Sequence, residues 1–127
     1  MTNEQITQSK GKKIASWILV GLLGALFIFS ASMKLMGGEQ VVASFSKLGL
    51  NGKETLIGIG ELIAALLFII PRTSSIGVLL LTAHMGGAIL VHMSQGEPYV
   101  FQAFILVLLW FANWLRNPEM LSSFTKN

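Results

Sequence analysis

The chain has 127 residues, 53% of them apolar and 12% charged, with a mean hydropathy of +0.67. A water-soluble domain of this size needs far more polar surface, so the composition excludes an ordinary soluble globule and points to a membrane protein. The absence of cysteine excludes disulfides, thiolate chemistry, Cys-ligated zinc and iron–sulfur clusters; a net charge of +3 without basic–aromatic alternation favours membrane lipid as partner over nucleic acid.

Residues 1–9 read as disordered. An uncharged run, IASWILVGLLGALFIFSASM, then begins at Ile14 and is about as long as a bilayer core requires. Lys10, Lys12 and Lys13 precede it like the basic region of a signal peptide. The run is longer than the apolar part of such a peptide, and an uncleaved first helix is expected. The loop that follows contains QVVASFSKL, with Val41, Val42, Phe45 and Leu48 at helical spacing. This predicts a short amphipathic helix on the outer surface or over the open end of a bundle.

Three further apolar stretches follow, and the spans are expected at about 14–34, 53–70, 74–92 and 99–115. Pro71-Arg72-Thr73 separates the second from the third as a tight turn, and SQGEP separates the third from the fourth. The expected fold is all-α: a polytopic, antiparallel four-helix transmembrane bundle forming one domain over 1–127. Charge orients it. Lys10, Lys12, Lys13, Arg72, Arg116 and Lys126 fall on one side, against Lys34, Lys47 and Lys53 on the other. Both termini are therefore expected in the cytoplasm, in an inner (cytoplasmic) membrane. Trp17, Trp110 and Trp114 would then lie at the inner interface and Tyr99 at the outer one.

At 1.5 Å per residue, Glu61 lies about 14 Å above the Pro71 end of its helix and His84 about 15 Å above it on the next. The two should meet near the midplane in a carboxylate–imidazole hydrogen bond that fixes the ring's tautomer. His84, Ala88 and His92 share one helix face. Lys34, most simply an interface lysine and otherwise a counter-charge, falls near the outer surface with His92. Gln102 lies slightly inside the outer end of the fourth helix. Small residues around the pair, Gly87 among them, allow close helix packing or leave room for a flat ligand. Candidate proton-handling residues are thus Glu61 and His84, and candidate ligand contacts are Lys34, Glu61, His84, Gly87, His92 and Gln102. No metal site is expected, because the ligand set is too small. The two histidines, about 12 Å apart along one helix, could not clamp one haem within a monomer.

The ordered segments GALFIFSASMKLMGG, FSKLG, GIGELIAALLFIIPRT and TAHMGGAILVH resemble the DoxX-like family of small membrane proteins. The resemblance implies a compact four-helix membrane protein associated with respiratory or redox complexes. One branch resembles the membrane subunit of a thiosulfate:quinone oxidoreductase, and another associates with thiol-oxidative-stress partners. Without cysteine, thiol chemistry here would belong to a partner protein.

Three functional readings stand at this point. One is a quinone-interacting subunit of a redox complex, with a separate redox partner protein as electron donor. Another is a non-catalytic assembly or interaction subunit in which the Glu61–His84 pair is structural. The third is a small proton-coupled transporter working as a homo-oligomer. A cavity shaped for a lipid or sterol is a further use of the same space.

Overall fold

A computed structural model describes the backbone over residues 3–125 and the side chains over 10–123. Six α-helices follow in chain order: α1 (Asn3–Met36), α2 (Glu39–Lys47), α3 (Glu54–Ile69), α4 (Ser74–Ser94), α5 (Val100–Arg116) and α6 (Ser122–Thr125). A 3₁₀ turn at Pro71–Thr73 joins α3 to α4, and another at Pro118–Leu121 precedes α6. The start of α1 corrects the expectation of disorder over residues 1–9, because the helix begins at Asn3. NEQITQSK contains neither proline nor glycine, so nothing local interrupts it. Met1, Thr2 and Lys126 lie outside the described residues, as does Asn127.

The long helices alternate in direction, which their contacts establish without reference to a membrane. Gly24 of α1 approaches Ile69 of α3 while Lys34 meets Glu61. Gly77 of α4 approaches Phe68 while His84 meets Glu61. Ser75 of α4 bonds Asn113 of α5, and further along Thr82 bonds Trp110. α1 and α4 each pack against both α3 and α5, closing an up-and-down ring.

Each of the four long helices contributes one stripe to a continuous core: Val20, Leu23 and Phe27 from α1, Ala64, Ala65 and Phe68 from α3, Val78, Leu81 and Met85 from α4, and Ile105, Leu109 and Ala112 from α5. The outward faces are apolar as well. Leu22 is 67% exposed, Ile63 51% and Val107 65%. A bundle apolar on both faces is matched to lipid rather than water. Lys10–Met36 (27 residues) and Pro71–Ser94 (24 residues) are long and apolar enough to cross a membrane.

The Pro71 end of the bundle is tied by polar side chains. Arg116 Nη1 donates to the carbonyls of Phe68, at 3.0 Å, and Ile69, at 2.8 Å, which end α3 without helical partners. Its guanidinium also lies 4.5 Å from the centroid of the Trp17 ring. Nearby, buried Asn113 donates to Ser75 Oγ at 3.1 Å and accepts from Asn117 at 3.2 Å. Lysine in place of Arg116 keeps the charge but not the planar fork. Arg116→Lys is expected to destabilise the detergent-solubilised protein by about 1–2 kcal/mol, read as a lowered thermal midpoint. An unchanged midpoint would remove Arg116 from the account of how α3 ends.

Candidate functional site

The site depends on a close approach of α1 to α3. Gly58 permits it: a Cβ there would sit 3.0 Å from Lys34 Cβ and 3.3 Å from the Ala31 carbonyl. One turn later, Glu61 turns into the bundle with its side chain only 1% exposed. Its Oε1 accepts from Lys34 Nζ at 2.8 Å, and Lys34 also donates to Ser30 Oγ at 2.8 Å. Its Oε2 lies 3.3 Å from His84 Nε2. Both carboxylate oxygens are therefore occupied, one by a cation from α1 and one by an imidazole from α4.

The Glu61–His84 approach is the one expected from helix depth. Lys34 takes the second of its two expected roles, that of counter-charge. Its Cα lies near the α2 end of α1, but the flexible side chain folds back along the helix to Glu61 instead of reaching outward. Ser30, one turn before Lys34, was the available signal, since it extends a polar strip along α1 toward the glutamate. A proton on His84 Nε2 lets the ring donate to an ionised Glu61 and leaves Nδ1 as its second polar atom. Among the described residues no group pairs with that Nδ1.

Beside this trio lies a cavity of about 880 Å³, walled by α1, α2 and α4. Lys34 and His84 supply polar groups to its wall, with Gly87 and His92 further along α4. Leu26, Phe29, Met33, Val41, Phe45 and Val91 make much of the wall apolar. Phe29 lines the cavity yet is 67% exposed, so the wall is open to the bundle's exterior at that point. A large apolar space with a few convergent polar groups has the usual form of a small-molecule site. Glu61 does not line this cavity and acts from behind Lys34 and His84. It lines a second recess of about 350 Å³ between α3 and α4, with Gly60, Ala64, Leu80 and His84.

His92 and Gln102 form a separate pair. The Ala88 carbonyl lies 2.7 Å from His92 Nδ1, which must carry hydrogen to donate to it. The Gln102 amide nitrogen lies 3.4 Å from His92 Nε2, while Gln102 Oε1 is buried without a partner among the described residues. Gln102 thus stands behind His92, away from the cavity wall where the sequence had suggested a ligand contact. Trp110 donates its indole N–H to Thr82 Oγ1 at 2.9 Å, tying α5 to α4.

The model of the DoxX-like family matches residues 18–113. No curated protein and no solved structure matches the chain. The family match covers the two approaches that build the site, α1 to α3 and α3 to α4, and it includes Lys34, Glu61 and His84. The chain is a membrane protein belonging to the DoxX-like family.

Proposed function

We propose that the chain is a single four-span membrane domain over 1–127, acting as the quinone-interacting subunit of a membrane redox complex. The observation carrying this reading is Glu61, held between Lys34 and His84 beside an apolar cavity. An ionisable trio within an apolar bundle is costly to retain and suits proton transfer. α3 and α5, of 16 and 17 residues, rise about 24 and 26 Å, so their polar flanks and local bilayer thinning complete the crossing. The six-to-three split of basic residues supports an inner-membrane placement with both termini cytoplasmic.

A quinone supplies a carbonyl whose reduction takes up protons together with electrons from a partner polypeptide. The ring would occupy the cavity beside Gly87, with one oxygen at His84. For reduction, His84 would deliver a proton to that oxygen, Glu61 would orient the imidazole and return a proton to it, and Lys34 would hold the carboxylate's charge. His92, backed by Gln102, extends the polar line toward α2. The remaining partners are membrane lipid and, in a larger assembly, further copies of the chain.

A second reading has its own support, because both Glu61 oxygens are paired and tie α1, α3 and α4 together. Such a trio also serves a non-catalytic assembly subunit. Glu61→Gln separates the two. It preserves shape and some hydrogen bonding but removes proton exchange. In the quinone reading, the variant accumulates normally and loses quinone-dependent turnover by about 100-fold or more. Full turnover in Glu61→Gln would reject the proton role. Extraction in mild detergent followed by mass spectrometry provides the ligand test: a stoichiometric quinone supports the reading, and a partner protein without quinone supports the assembly role.

A further inference from the structure

We infer that α2 is a hinged lid over the large cavity, held shut by the Lys47–Glu97 ion pair. The inference deepens the quinone reading, since the lid would control access to the site assigned there.

Sequence places glycine at both ends of α2. Gly37 and Gly49 have φ of 63° and 75°, in the left-handed region where a side chain is strained. They end α1 and α2 in chain reversals and leave α2 as a short segment between two turns. Its residues Gln40, Val41, Ser44, Phe45 and Lys47, with the following Leu48, form one side of the cavity. No residue of α2 is buried. Its backbone hydrogen bonds remain within the helix and its adjoining turns. Among the described residues, its one polar tie to the bundle is Lys47 Nζ to Glu97 Oε2, at 3.9 Å, from side chains 63% and 45% exposed.

These magnitudes rank the parts of the wall by ease of movement. α1 and α4 are anchored in the core through Phe27, Leu81 and Met85. α2 and its C-terminal cap have only half-buried apolar contacts, from Val41, Phe45 and Leu48. An exposed ion pair at that distance shifts an opening equilibrium by no more than about fivefold. Elements with few buried contacts open first, and short hinges confine the motion to them. Opening would widen access to Ala88 and His92, which are half-exposed with the lid shut, while leaving Lys34, Glu61 and His84 in place.

The absence of cysteine makes the test clean, because Ala88→Cys places a single thiol on the cavity wall. Its reaction with a charged, membrane-impermeant thiol reagent is timed in the full chain in detergent. Lys47→Glu and Glu97→Lys, each added singly, should speed labelling by about two- to fivefold. The double reversal should return the parent rate, which also shows that neither single change acts by misfolding. Unchanged rates in both single variants, or a double variant as fast as either, would overturn the lid. Quinone retention is measured separately on the parent protein. Charge-sensitive labelling without quinone keeps the lid and rejects the ligand, while bound quinone with charge-insensitive labelling does the reverse.

Discussion

Lys34→Met is expected to destabilise the bundle by about 3 kcal/mol, although Lys34 itself is not fully buried. The cost arises at its partner. Glu61 is 1% exposed and loses the cation on Oε1, so its carboxylate must remain charged beside His84 alone or take up a proton. Methionine preserves most of the aliphatic bulk against Gly58, which isolates charge from packing. The decisive comparison is the double variant Lys34→Met/Glu61→Leu. If the penalty is an orphaned buried carboxylate, removing that carboxylate should recover more than half of the lost stability. Denaturant titration in micelles reads both. Equal instability in the single and double variants would show that Lys34 matters through packing and not through Glu61.

Gly77→Ala is expected to cost about 3 kcal/mol by forcing α3 and α4 apart. A Cβ at Gly77 would collide with Phe68 N and stand 2.8 Å from the Leu67 carbonyl carbon. Those are backbone atoms inside a helix, so no rotamer change relieves the clash. The consequence extends to the site, because α3 and α4 also carry Glu61 and His84. A shift of a few tenths of an ångström there would lengthen a contact already at 3.3 Å. Gly86 on the same helix is the control, since nothing lies within 4 Å of a Cβ there. Gly86→Ala should be neutral or slightly stabilising. A neutral Gly77→Ala would mean that the helices can separate without loss, and that the tight register is not what positions the pair.

Much of this protein was legible from residue order because bilayer chemistry imposes simple periodicities. The apolar stretches around Ile14 and after Ser74 are long helices, and Pro71 turns the chain between α3 and α4. Counting rise from that turn brought Glu61 and His84 to one height, as the 3.3 Å contact shows. The four segments resembling the DoxX-like family all lie within the matched residues 18–113.

What residue order left open depended on lateral packing and side-chain reach. Depth along a helix follows from counting, but which faces meet depends on the approach of two helices, here set by Gly58 and Gly77. Lys34 was placed by its Cα near the end of α1, yet four methylenes carry its ammonium back to Glu61. Gln102 had suitable depth but stands behind His92. The sequence by itself determined the helical elements, their apolar character and the Glu61–His84 height, because these follow from local spacing. Only the tertiary structure decided that Lys34 completes the trio, that α2 walls a cavity and that Arg116 ends α3, because each is a contact between distant parts of the chain.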